Sequence, residues 1–362
     1  MKNFIAHIHY AKYLPLEEKL AYIGLGLLKP FYFFGVKARL LAYKMGWLKQ
    51  TKVNARVISI GNLTTGGTGK TPVCVAIANY FSELVNVKTA ILSRGYGGKL
   101  ANSQVNTISD GENIFFSAHM SGDEPYWLAY NAAKTVVLTC KNRIEAAKTA
   151  IKKYGAEVLI LDDGFQHVKL ARDINIMLID GNLRFGNKKL LPQGPLREPL
   201  DEIKRADIIL IMNKRALDKD ATQNCENFAK EISDKYGKKT TVCNFAPVGI
   251  YLFSENADMP SQLCVPEKVY AFAGIGQPRF FFEYLENQGY EVLKQRVFED
   301  HHLYTKEDIK NILAEAKKLG AKAIVTTEKD AVKIKALIET GELGFFALKL
   351  GLDLDIKSIV EE

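Results

Sequence analysis

From about residue 50 the chain alternates short, continuous apolar runs with stretches whose apolar positions recur every three to four residues. The runs "ARVISIG", "KTAILSRG", "KTVVLT", "AEVLILDD", "INIMLID" and "ADIILIMN" have strand length and are rich in branched side chains. Continuous apolar runs of this kind predict strands buried on both faces. Between several of them lie helical patterns, such as "TPVCVAIANYFSELV" and "NRIEAAKTAIKKYG". The alternation predicts an α/β fold with a parallel sheet covered by helices on both sides. From about 216 to 268 the pattern loosens. A charged helix gives way to "TTVCNFAPVGIYLF", which has no helical period and reads as a linker or a small ribbon. A second α/β unit follows: strand "KVYAFAGIG", helix "PRFFFEYLENQG", strand "VLKQRVF", helix "KEDIKNILAEAKKLG" and strand "AKAIVTT".

The first fifty residues follow neither pattern. "KLAYIGLGLLKPFYFFGVKARLLAYKMGWLK", 19–49, is rich in Leu, Phe and Tyr but is interrupted by Lys29, Pro30, Lys37 and Arg39. A spanning helix needs roughly 20 nearly uninterrupted apolar residues, and the runs here are far shorter. No small-residue cleavage site follows, so a signal peptide is not expected either. Basic and aromatic residues crowded together are the composition of a helix lying in a bilayer interface. A helical hairpin packed on its own domain is the plainer alternative. The expected division is therefore 1–50 as a membrane-associated segment, 51–238 as the nucleotide-binding domain, 239–268 as a linker and 269–362 as a smaller α/β domain.

Composition narrows the picture modestly. Of 362 residues, 47% are hydrophobic and 25% charged, as in a folded protein, and the net charge of +8 favours an anionic partner. Basic and aromatic residues gather on no element outside the N-terminal segment, so nucleic acid is not the expected partner. The five cysteines are scattered without a C-x-x-C pair, which fits a reducing compartment and argues against a zinc site.

The chemistry starts at "VISIGNLTTGGTGKTP", 57–72. A strand breaks into a glycine-rich turn and a helix opened by Thr71-Pro72, the setting of a P-loop. Gly66, Gly67, Thr68 and Gly69 free the backbone to wrap phosphate oxygens at a helix N-terminus. Lys70 would reach the β- and γ-phosphates, and the Thr71 hydroxyl would ligate Mg²⁺. Thr64 stands where the usual pattern has its first glycine. "AEVLILDDGFQH" ends a strand in Asp162-Asp163, a carboxylate pair suited to the metal, although a turn after a strand could be written the same way. "NKRA" superficially resembles a guanine reader, but Ala216 replaces its carboxylate, so ATP is the expected nucleotide.

Together, "SIGNLTTGGTGKTP", "LSRGYGG", "SGDEP", "LDDGFQH", "LPQGPLREP", "AGIGQPRFF", "DHHLYT" and "TEKDAVK", in this order, resemble the tetraacyldisaccharide 4'-kinase family over about residues 20–335. The resemblance implies a P-loop NTPase-type sheet domain and a cradle needing no glycine at Thr64. It implies transfer of the ATP γ-phosphate to the 4'-hydroxyl of an acylated glucosamine disaccharide 1-phosphate, giving lipid IVA in lipid A biosynthesis. It also implies work at the cytoplasmic face of the inner membrane, with the N-terminal segment as a peripheral anchor. A P-loop ATPase switch is the alternative.

By the same resemblance Asp123 in "SGDEP" is the catalytic base and Glu124 assists the metal; on the residues alone, Asp123 could equally cap a helix. His301 in "EDHHLYT" would orient or tune Asp123, with His302 as the fallback. Thr305 and Asp308 read as the helix start after them. Arg94 and Tyr96, Gln166, and Arg197 and Glu198 (the charged tip of a Pro/Gly-rich loop) are expected at the substrate or phosphates. Glu328, Lys329 and Asp330 could face the cleft or cap the next helix, and a structural or domain-contact role is expected of them.

Overall fold

The computed structural model describes residues 7–11, 15–216, 218–252, 267–276, 278–300, 302–338 and 343–361. The six strands expected in the first half are present: β1 (Arg56–Gly61), β2 (Thr89–Ser93), β4 (Val136–Thr139), β5 (Val158–Asp162), β6 (Ile174–Asp180) and β7 (Ile208–Asn213). Their pairing is parallel throughout, and β2 and β5 are buried along their whole length. Both faces being covered is the reason the sequence shows runs and not alternation. α2 (Lys70–Asn79), α3 (Asp123–Asn131), α4 (Arg143–Tyr154) and α5 (Lys219–Tyr236) belong to this half. Strand β3 (Asn106–Asp110) was not legible; "NTISD" is short and polar, as suits an edge strand, and it pairs antiparallel to β4.

In the second half β9 (Lys268–Ala273), α6 (Pro278–Asn287), β10 (Glu291–Val297), α7 (Lys306–Lys318) and β11 (Ala323–Thr327) follow the expected pattern. The short helix α8 (Glu328–Ile334) and strand β12 (Gly344–Asp353) complete it. Among the described residues all strands form one twelve-stranded sheet, ordered β10-β9-β11-β12-β8-β7-β6-β1-β5-β2-β4-β3.

The join is the instructive part. Residues 239–252, expected to begin a linker, are the fourteen-residue strand β8 (Lys239–Leu252); residues 253–266 lie outside the described residues. Lys239–Asn244 pair in parallel with β7, and Asn244–Leu252 then pair antiparallel with β12. Pro247 and Gly249 read as breakers. They sit where the ladder skips one residue, Val248, which is a bulge and not a chain break. Because β8 runs on past the end of β7 and β12 returns beside it, β11 and β9 point back toward the first half. The C-terminal edges of both parallel sets therefore face each other. After β12 the chain returns to the first half, where Ile359 and Val360 join the core around Ile58, Val73 and Ile77.

The stretch expected at 19–49 is one continuous helix through Lys44, α1 (Leu16–Lys44), with Pro30 inside it, and not a hairpin; residues 7–10 form a separate helical turn before it. Among the described residues no helix is long and apolar enough to cross a membrane.

Candidate active site: a phosphate cradle and carboxylates across one cleft

Strand β1 delivers its last residue, Gly61, into the loop that ends at α2. Gly66 and Gly69 have left-handed backbones, φ 109° and 89°, and Gly69 is the N-cap. A Cβ on Gly69 would stand 2.7 Å from the Phe245 ring, so side chains are excluded there twice over. Thr64 is different. It bridges antiparallel to Leu196, Thr65 N–H donates to Pro195 O at 2.8 Å, and Arg197 N–H donates to Leu63 O at 2.7 Å. Position 64 is extended backbone stitched to the 191–199 loop, a conformation that threonine adopts without strain. Beyond the glycines, Lys70 Nζ donates to Asn62 Oδ1 at 3.3 Å and lies 3.4 Å from Asp163. Lys214 holds the loop from the side, donating to Gly67 O and to Asp180 at 2.7 Å.

The acidic pair splits because β5 stops at Asp162 and the chain turns at Asp163. Asp162 turns inward: it is buried, accepts from Ser93 Oγ at 3.1 Å, and faces the Cys74 thiol. Burial, then the charges of Glu124 and Asp163, push its carboxyl up to about 6. Asp163 has a left-handed backbone, φ 52°, and turns to Lys70 and to Arg197, whose Nη1 donates at 2.8 Å. Burial opposes ionisation there too, but the two cations outweigh it and hold the carboxyl at about 2.

Asp123 and Glu124 open α3. The N-cap is Gly122 (φ 93°), not Asp123, and a Cβ on Gly122 would lie 2.6 Å from Tyr96 O. That contact packs the "SGDEP" turn against the "LSRGYGG" turn. From the opposite edge, Lys333 Nζ lies 3.4 Å from Asp123 and Lys329 Nζ 4.0 Å from Glu124. Asp330 is the third residue of α8. Thr327 caps the helix, its Oγ1 accepting from the Asp330 N–H at 3.2 Å, while the Asp330 carboxylate accepts from Thr327 Oγ1 at 2.8 Å and from Gly274 N–H at 2.9 Å. Glu328 lines the cleft, and burial pushes its carboxyl up to about 7.

His301 lies outside the described residues. His302 is occupied: its Nε2 is 3.2 Å from Asp308, and its ring stacks on Phe298. Asp308 at the same time completes the capping box with Thr305 at the start of α7. The fallback histidine is thereby tied to the second half's own core.

One cleft of ≈2530 Å³ is lined by the cradle, Asp123, Glu124, Asp162, Asp163, Arg94, Tyr96, Gln166 and Arg197. Arg94 and Tyr96 are exposed at its wall. Gln166 donates to Asn62 O at 2.9 Å, so it also braces the cradle. Glu198 is not the exposed tip expected of its loop. It is fully buried and paired with Arg39 at 2.7 Å and with Arg205, which commits its carboxylate inside the protein. Sequence reasoning missed Arg39, Arg143, Lys214 and Lys333. Arg143, buried at the first turn of α4 and lining the cleft, carried no motif; Lys333 closed a quoted motif but was not singled out.

Helix α1 lies against this wall. On its inner face Tyr32 Oη donates to Arg197 O at 2.8 Å, Arg39 pairs with Glu198, and Lys37 pairs with Glu202 at 3.1 Å. On its outer face Leu16, Leu20, Ile23, Leu27, Phe31, Phe34 and Leu41 are all more than half exposed. Their spacing of three, four and seven residues makes one stripe.

These features have counterparts in known proteins. A family model described as tetraacyldisaccharide-1-P 4'-kinase matches residues 22–362. A tetraacyldisaccharide 4'-kinase of Desulfotalea psychrophila is 41% identical over 299 residues, covering 83% of this chain and 84% of that protein. One of Halothermothrix orenii is 34% identical over 360 residues, covering 95% and 91%. A solved structure of LpxK from Aquifex aeolicus, described as in complex with ATP, is 31% identical with a TM-score of 0.73, covering 93% and 96% of the two chains. With a cradle, an acidic strand end and a facing carboxylate in one cleft, and relatives matching along nearly their whole length, this chain belongs to the tetraacyldisaccharide-1-P 4'-kinase family.

Proposed function

We infer that this cleft transfers the γ-phosphoryl group of ATP to the 4'-hydroxyl of an acylated glucosamine disaccharide 1-phosphate. The observation that carries the reading is the meeting of the 66–71 cradle with Asp123 across a single cleft. The open N–H groups of the loop and the first turn of α2 would take the β- and γ-phosphates. Lys70 is already drawn to this place by Asp163. Asp123 would accept the hydroxyl proton as the sugar oxygen attacks phosphorus, while the bond to the β-phosphate breaks and ADP leaves. His301 would orient Asp123 from the second half. Arg94, Tyr96, Gln166 and Arg197 would hold substrate or phosphate; Glu198 would act through Arg39.

The residues fit a divalent cation. Burial, then the charges of Glu124 and Asp163, raise the Asp162 carboxyl, and a cation among the three would favour its ionised form. Among the described residues no His/Cys/Asp/Glu cluster forms a ready-made cage. Mg²⁺ asks for no such cage, since it uses one or two carboxylates plus phosphates and water. Thr71, Asp162, Asp163 and Glu124 would supply the protein's share, and the chemistry gained is neutralisation of phosphate charge.

The outer stripe of α1 supports docking on a bilayer. A substrate with several acyl chains stays in the membrane, so its kinase has to work at that surface, here assigned to the cytoplasmic face of the inner membrane. Apolar insertion with flanking lysines and arginines suits an anionic lipid surface. The division into a cradle domain, a connection at β8 and a smaller second domain follows the two halves of the sheet. Incubation with labelled ATP and the lipid disaccharide tests the whole reading. A labelled 4'-phosphate supports it, and release of inorganic phosphate alone supports an ATPase switch.

A further inference from the structure

Lys333 stands in the second half, and its ammonium points at the first. It lies 3.1 Å from Asp330 Oδ1 and 3.4 Å from Asp123 Oδ2, and the lysine side chain is 6% exposed. Asp330 is fully buried and held on its other oxygen by Gly274 N–H, from the end of β9, and by Thr327 Oγ1, from the end of β11. The Tyr304 ring lies 5.7 Å from the ammonium. A lysine stem is long and flexible, and an exposed pair would lose much of its attraction to that freedom. Here the stem is fixed from its own side of the cleft. Lys333 of α8 faces Asp123 directly, the Asp123 charge reaches Tyr304 in the segment before α7, and beside Asp123 on α3 Glu124 faces Lys329 of α8.

We propose that Lys333 is a positioning residue for the phosphoryl transfer: anchored by Asp330 in the second half, its ammonium seats the Asp123 carboxylate of the first half, so the base is set only while the two edges meet. The proposal rests on the reading of Asp123 as the base. It gives the buried Asp330 network a purpose beyond tying the ends of β9 and β11 together. The lysine takes no proton from the sugar; it keeps Asp123 aimed.

The test compares Lys333→Met, Lys333→Gln and Lys333→Arg in the full chain with ATP and the lipid disaccharide. Glutamine can still bond Asp330, so it keeps α8 in place should methionine not. Both neutral variants are expected to lower kcat about tenfold to hundredfold, while KM for ATP moves less than about threefold. Arginine is expected to restore most of the kcat, and in an Asp123→Asn background Lys333→Gln is expected to add no further loss. A kcat left at the wild-type value by Lys333→Gln, or a full extra loss on the Asp123→Asn background, would overturn this role and leave the base reading standing. Wild-type turnover by Asp123→Asn alone would overturn the base reading, and the role of Lys333 with it.

Discussion

The two halves of the sheet put the same structural resource, the C-terminal ends of parallel strands, to different uses. In the first half, β1 ends in a glycine turn that leads into the ten-residue helix α2, and β5 ends in two carboxylates. In the second half, β9 ends in Gly274-Ile275-Gly276, whose glycines approach Tyr304, Asp330 and Asp300, and β11 ends in a capped helix of seven residues. The first edge holds a cradle and acids. The second contributes the cations Lys329 and Lys333, aimed at Glu124 and Asp123 at the start of α3. A parallel sheet places ligands at this edge, and which ligand is decided by the turn chemistry, not by the sheet.

The sharpest way to break the comparison is Lys70→Ala, which removes the cation of the cradle. Phosphorylation is expected to fall at least about a thousandfold, measured as kcat/KM with labelled ATP. Asp123→Asn comes next, with kcat expected to drop by about 10²–10⁴ and nucleotide affinity within a fewfold of wild type; a collapse of ATP binding would move Asp123 from base to cradle. Leu27→Asp with Phe31→Asp addresses the outer helix that only the first half carries. Partitioning onto anionic vesicles is expected to weaken about tenfold or more in a co-sedimentation assay.

Smaller effects separate the halves by stability. Asp330→Asn loosens the ends of β9 and β11 and is expected to lower Tm by a few degrees, about 1–3 kcal/mol for a charged buried acceptor. Asp162→Asn should do the reverse at pH 7.5. A carboxyl raised to about 6 by burial and its acidic neighbours binds its proton more tightly folded than unfolded. Its contribution is therefore favourable at low pH and is lost as pH climbs through about 6. Removing the charge is expected to raise Tm by a degree or more at pH 7.5, and the gain should vanish below about pH 4 in a melting series.

Much of this was legible because period and motif coincide. The buried strands of the first half announce themselves as apolar runs, and the cradle lies at the junction of one such run with a helix. β8 hid behind Pro247 and Gly249, whose usual meaning a bulge overrode; β3 hid behind its polarity. The motif residues Lys70, Asp123, Glu124, Asp162, Asp163, Arg94, Tyr96, Gln166 and Arg197 meet in one cleft, whereas Glu198 is buried beside Arg39. Residues found only by fold, such as Arg39 reaching Glu198 or Arg143 at the start of α4, depend on pairings more than a hundred residues apart or on burial that sequence does not show.

Helix α1 has two faces that must be in phase. Tyr32, Lys37 and Arg39 read the loop that carries Arg197, while Leu16 through Phe34 look outward from the same cylinder. One alanine inserted after Gly35 would turn everything before it by about 100° relative to Arg39. The greasy side and the gripping side would then no longer serve the enzyme together, although every side chain of the helix would still be present.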